Sequence, residues 1–144
     1  MVSLKIEKYT CFLGGSDDME FKMKEVGFTT NLEYGELHVA GDEKYGFRPY
    51  QLMVSSIAVC SGGVLRKILQ KKRIEIEDMT IQTDVTRNEE KANRIEKIHI
   101  HYIIKGNQLD EKQIHKSIEI ARKNCPMVQS VEGSIEIEET FELV

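Results

Sequence analysis

Along this chain the apolar positions switch period several times, and each switch marks an element. Val2, Leu4 and Ile6 share one face of a first strand expected over residues 2–9. After the turn-like run Gly14-Gly15-Ser16-Asp17-Asp18, Met19, Phe21 and Met23 alternate with Glu20, Lys22 and Lys24, the period of a half-buried strand. Residues 28–40 read as one more short strand and a loop rich in glycine and charge that reaches Gly46. Pro49 then suits the first position of a helix, where its missing N–H is not needed. Apolar or small residues recur at Leu52, Ser56, Val59, Cys60, Gly63, Val64 and Ile68 with helical spacing. From Pro49 to about Lys72 this helix spans roughly 35 Å at ~1.5 Å per residue. Gly62 and Gly63 inside it each cost roughly 1 kcal/mol relative to alanine, which implies a second backbone passing close by.

Downstream the period returns to two. Ile74–Ile76 and Ile81–Val85 read as strand, and Arg87-Asn88-Glu89-Glu90-Lys91-Ala92-Asn93 as a polar turn. The return strand sets Ile98, Ile100, Tyr102 and Ile104 on one face and His99 and His101 on the other, until Gly106-Asn107 breaks it. Asp110 with Gln113 three residues on resembles a capping box and starts a second helix. Ile114, Ile118 and Ala121 form its apolar stripe, which Cys125 continues; Pro126 disfavours helical geometry at Cys125 and places that thiol at the helix end. In a last strand Ile135, Ile137, Phe141 and Leu143 alternate with Glu136, Glu138 and Glu142. The order strands, long helix, hairpin, helix, strand predicts an α+β fold, a single domain over 1–144 with a largely antiparallel sheet. The Gly/Ser/Ala/Cys surface of the long helix exceeds what one small sheet covers, and a homodimer sharing its central helices would cover the rest.

Composition narrows the function. A net charge of −4 offers no clustered basic face for nucleic acid, and Lys71-Lys72-Arg73 sits where cations complement a helix C-terminus. The N-terminal residues carry no signal-peptide apolar stretch, and no run approaches 18 continuous apolar residues. The expected setting is the reducing cytoplasm, away from membranes. Three cysteines, an odd number, disfavour a disulfide framework there.

Cys60 and Cys125 are the candidate chemistry. They are 65 positions apart but would meet if the two helices pack together. A thiolate attacks a peroxide to give a sulfenic acid, and a second thiol condenses with it to a disulfide. In that scheme Cys60, held within a helix, attacks and Cys125, at a helix end, resolves. Free cysteine also packs as a small hydrophobe, and periodicity alone leaves both readings open. Cys11, beside Phe12, has no counterpart and no assigned role. His99 and His101 lack a third donor at ligand spacing, so no metal or bound cofactor is expected. No Ser-His-Asp arrangement, phosphate-binding glycine loop or CxxC is present.

These motifs resemble the OsmC/Ohr family, the osmotically inducible and organic hydroperoxide resistance proteins. Pro49-Tyr50-Gln51-Leu52 through Ala58-Val59-Cys60 is similar to its first motif, and Cys125-Pro126 to its helix-terminal Cys-Pro. The resemblance implies an intertwined homodimer with active sites at the subunit interface. It implies that organic hydroperoxides are reduced to alcohols, with Cys60 peroxidatic and Cys125 resolving. An external small dithiol or dihydrolipoyl-type donor would regenerate the pair. The family's peroxidases add an arginine from the N-terminal hairpin, paired with a glutamate on the central helix. Here no arginine precedes Arg48, the hairpin turn reads Gly14-Gly15-Ser16, and Tyr50 and Gln51 stand where that glutamate could fall. Val128 stands two residues after Pro126, where the family often has serine. Arg48 and Gln51 are therefore the candidate pocket or charge-assisting residues. Arg48 lies twelve residues before Cys60, roughly 18 Å along a helix axis, so it would have to serve the thiol of a partner subunit. The alternatives are a non-catalytic small-molecule or thiol-binding module on the same fold, and a structural dimer whose cysteines merely pack.

Overall fold

The computed structural model describes residues 18–144. They belong to two units, one ending at Pro49 and one running from Tyr50 to Val144. The first holds β1 (Lys22–Met23), β2 (Phe28–Asn31) and β3 (Glu36–Val39) in one antiparallel sheet of that order. A tight turn joins β1 to β2. There Gly27 adopts φ 80°, and a Cβ would collide with the Val39 carbonyl and Ala40. Two expectations change here. The strand at Met19–Lys24 shortens to two residues, and the single strand expected within 28–40 is a hairpin. Its turn is closed by reciprocal bonds between Leu32 and Gly35, at 3.0 and 3.1 Å. The alternation was weak because β2 and β3 are only four residues each and mostly half exposed. The strand expected over 2–9 lies outside the described residues, as does Cys11.

The second unit is built on α1 (Pro49–Lys71). This helix ends in a Schellman closure. Arg73 takes the left-handed conformation at φ 58°, its N–H reaches the Gln70 carbonyl at 3.0 Å, and the Ile74 N–H reaches Leu69 at 2.9 Å. That closure takes up Ile74, so residues 74–76, expected as strand, form a connection instead, and β4 starts at Asp78. β4 (Asp78–Asn88) and β5 (Arg94–Lys105) form the expected hairpin, with a 3-10 turn at Glu89–Lys91 and an irregularity between Thr86 and Arg87. Then follow α2 (Glu111–Asn124), α3 (Pro126–Val131) and β6 (Glu136–Leu143).

β6 pairs with β5 in parallel, Ile98 opposite Ile137 and Ile100 opposite Glu139. A parallel partner needs a long crossover, which α2 and α3 supply. The other strand pairs among the described residues are antiparallel, so the fold is α+β with mainly antiparallel sheets and a long helix. Asp110 caps α2 by accepting from the amides of Lys112 and Gln113, at 2.8 and 3.3 Å. α3 was not anticipated: Pro126, which ends one helix, occupies the first position of the next.

One apolar core joins these elements. Val54, Ile57, Ala58, Leu65 and Leu69 of α1 meet Ile98, Ile100, Tyr102 and Ile104 of β5. Ile114, Ile118 and Ala121 of α2, Val128 of α3, and Ile137 of β6 complete it. Both long helices therefore cover the same face of the sheet, and Lys72 Nζ ties the end of α1 to Ser117 Oγ of α2 at 2.9 Å. α1 is long and apolar enough to cross a membrane, yet Ile57 and Leu65 are wholly enclosed: it is the core helix. Gly62 is explained by a side chain rather than by the expected backbone. A Cβ there would strike Cδ1 of Ile81 on β4, while Gly63 faces open space.

Candidate functional site

Helical spacing turns Ser61 and Gly62 into the core and leaves Cys60 half-buried at the edge of that face. Cys125 is fully buried, its backbone extended (φ −84°, ψ 111°) between the end of α2 and the start of α3. Both are free thiols. Their sulfurs are neighbours, close enough that the Cys60 thiol makes ionisation of Cys125 harder. Burial is the larger cause, and together the two hold the Cys125 thiol above its ordinary pKa of 9.0. The amides of Val128 and Met127, at the start of α3, face the sulfur and pull the other way without making a full capping hydrogen bond.

Beside the thiols lies a polar cluster. Ser61 Oγ and the Tyr102 hydroxyl are 2.7 Å apart, and both donate to Oε1 of Glu139, at 2.9 and 3.1 Å respectively. Oε2 of Glu139 faces a guanidinium nitrogen of Arg122 at 3.8 Å. The Glu139 side chain is only 4% exposed, so this is a carboxylate set into the core. Burial, with the negative charge of Glu139 beside it, pushes the Tyr102 phenol above its usual pKa, against the pull of Ser61, and keeps it a hydrogen-bond donor.

The structure thus brings Cys60 and Cys125 together and adds Ser61, Tyr102, Glu139 and Arg122. Arg48 belongs to the other unit, where it faces Glu43 at 3.8 Å. Gln51 is exposed in the first turn of α1, roughly 13 Å along the axis from Cys60. Tyr50, where a family glutamate was sought, lies under the Arg87 guanidinium, 4.7 Å from the ring centre. His99 and His101 share the Thr140 hydroxyl at 2.7 Å each, and among the described residues no three potential ligands gather for a metal ion.

Reading the sequence had missed Glu139, although a signal was there. Position 139 falls in phase with Ile137 and Phe141, so a strict period of two turns its carboxylate toward the core.

Comparison with known proteins agrees with this architecture. Protein YhfA of Escherichia coli K12 is 25% identical over 97 residues, 67% of this chain and 72% of its own length. A hypothetical protein from Aquifex aeolicus VF5 superposes with a TM-score of 0.79 at 26% identity, covering 88% of this chain and 95% of that one. The Legionella pneumophila structure described as an organic hydroperoxide resistance protein OsmC matches with a TM-score of 0.69 at 15% identity, covering 90% and 99%. The family model described as OsmC-like protein matches residues 41–140, both cysteine motifs included, and the chain belongs to that family.

Proposed function

We propose that this protein is a thiol-dependent peroxidase that reduces organic hydroperoxides to alcohols. The observation that carries the reading is the pairing of a half-buried Cys60 sulfur with a fully buried Cys125 sulfur. The name of the Legionella neighbour points to the same substrate class. The thiolate of Cys60 attacks the distal peroxide oxygen. The O–O bond breaks, sulfur is oxidised to the sulfenic acid, and the alkoxide takes a proton and leaves as alcohol. Cys125, losing its proton, then attacks the sulfenic sulfur; a disulfide forms and hydroxide departs as water. An external dithiol restores both thiols by exchange and is itself oxidised to a disulfide. The buried position of Cys125 suits a resolving thiol, which has to stay protonated until its neighbour has been oxidised. We place the protein in a reducing cytoplasm as a homodimer.

Treating purified protein with cumene hydroperoxide and mapping its cysteines by mass spectrometry tests the scheme. A Cys60–Cys125 disulfide should form stoichiometrically, Cys60→Ser should consume no peroxide, and Cys125→Ser should accumulate overoxidised Cys60. If Cys60 stays a thiol and Cys60→Ser matches wild type, the peroxidase reading is wrong. The non-catalytic reading would then be supported by a small molecule that raises the melting temperature while both thiols stay reduced.

A further inference from the structure

We propose that Glu139 is a positioning residue whose carboxylate clamps α1 to α2 and so holds the sulfurs of Cys60 and Cys125 in bonding register. The inference rests on the pairing of those thiols in the function proposed above, but not on peroxide as the oxidant.

Consider first what an acid does at this place. Ile137, Glu139, Phe141 and Leu143 share the core-facing side of β6. A branched aliphatic residue at 139 would continue that row without the cost of desolvating a carboxylate. The carboxylate is instead almost completely enclosed, and each oxygen serves a different helix. Oε1 accepts from Ser61, the residue directly after Cys60 in α1, at 2.9 Å. Oε2 faces Arg122 of α2, three residues ahead of Cys125, at 3.8 Å. Tyr102, anchored in the middle strand of the sheet, donates to Oε1 at 3.1 Å and fixes the carboxylate from below. One side chain on a strand thus reaches both cysteine-bearing helices within a turn of each sulfur.

The chemistry needs such a clamp. A disulfide tolerates little error in length or torsion; Cys60 is fixed within α1, and Cys125 is held in the one-residue junction between α2 and α3, so the placement of the helices decides whether the sulfurs meet. Apolar packing between α1 and α2 is non-directional and leaves small sliding motions cheap. The hydrogen bond from Ser61 to a fixed carboxylate is directional and sets the place of α1, while the ion pair with Arg122 draws α2 to the same carboxylate. The expected consequence of losing the clamp is a lower effective concentration of one thiol at the other.

The reaction that reads this is exchange with an external disulfide: two electrons and two protons leave the Cys60 and Cys125 thiols and reduce the external disulfide to a dithiol. Wild type, Glu139→Ala and Glu139→Gln are equilibrated in graded mixtures of oxidised and reduced dithiothreitol, and the bridged fraction is measured by mass shift after alkylation. Glu139→Ala should weaken the bridge at least ~10-fold, which for this two-electron couple is a potential about 30 mV more oxidising. Glu139→Gln keeps an acceptor for Ser61 and Tyr102 and gives up the charge facing Arg122, so it should fall between. Ile137→Ala, a truncation on the same strand face without polar contacts, should leave the exchange equilibrium within a factor of two or so. Should Glu139→Ala not fold, Ser61→Ala and Arg122→Gln each cut one arm of the clamp and should each weaken the bridge. An unchanged equilibrium in folded Glu139→Ala, or an equal shift in Ile137→Ala, overturns the inference. Since no peroxide is used, the two readings separate. A pair that bridges normally in dithiothreitol but ignores cumene hydroperoxide sinks the peroxidase alone; a working peroxidase indifferent to residue 139 sinks the clamp alone.

Discussion

Cys125 and Tyr102 are neutral acids enclosed by the same core, and both are harder to ionise there than in the unfolded chain. The consequence for stability follows by linkage. Above the unfolded cysteine's ordinary pKa of 9.0, the unfolded chain has released that proton while the folded one still holds it. Stability is therefore complete below that pH and falls as pH rises toward the folded pKa. Tyr102 adds a second decline of the same sign, starting from the ordinary tyrosine value of 10.0. Denaturant unfolding followed between pH 7 and pH 11 should show this, and Cys125→Ala should remove the earlier part of the slope. An identical slope in that variant would mean the thiol is not held protonated by its surroundings. The residues at this scale were unevenly legible. Cys60 and Cys125 stood out because thiols are few and both lie on helical stripes. Glu139 did not, because among four glutamates between positions 136 and 142 only strand phase separates the buried one from the solvated ones.

At the scale of elements, local chemistry decided which boundaries could be read. Asp110 is the clearest case: its carboxylate takes two of the amides that α2 leaves open. Asp110→Ala should destabilise the protein by about 1 kcal/mol, measured as a lower denaturant midpoint at unchanged slope. It should leave the Cys60–Cys125 exchange equilibrium alone, because α2 carries Cys125 at its opposite end. Long periodic stretches, α1 and the β4–β5 hairpin above all, were legible for the same reason that they are stable: each presents one apolar face for its whole length. The errors fell where tertiary contacts override pattern. Ile74 looks like strand but is the apolar plug of the α1 closure, and the connection runs on to Asp78 before the ladder begins. Pro126 looks like a stop and is also a start. The parallel pairing of β6 was not visible at all, because alternation along one strand says nothing about the direction of its neighbour.

For the whole molecule the unresolved quantity is the outer face of α1. Across its most apolar window only 39% of residues are buried. Val59 remains 66% exposed and Met53 40% exposed. Gly63 lies on the same surface with nothing within 4 Å of where a Cβ would be, and a groove of about 400 Å³ opens between it and Met79 and Ile81 of β4. A helix so apolar gains by being covered: closing a side chain the size of Val59 from water contributes on the order of 1.5 kcal/mol. The absence of a side chain at Gly63 lets another helix approach closely there, and a second copy of α1 offers the same small-residue surface in return. The proposed homodimer thus makes a specific demand on these positions. Light scattering behind a sizing column should give twice the 16.6 kDa of one chain. Val59→Glu and Gly63→Arg, each placing a charge where the partner helix would lie, should shift the mass toward a single chain at micromolar concentration while far-ultraviolet dichroism stays that of the folded protein. A wild type that elutes as one chain, or variants that remain double, would leave α1 to be covered by something other than its own copy.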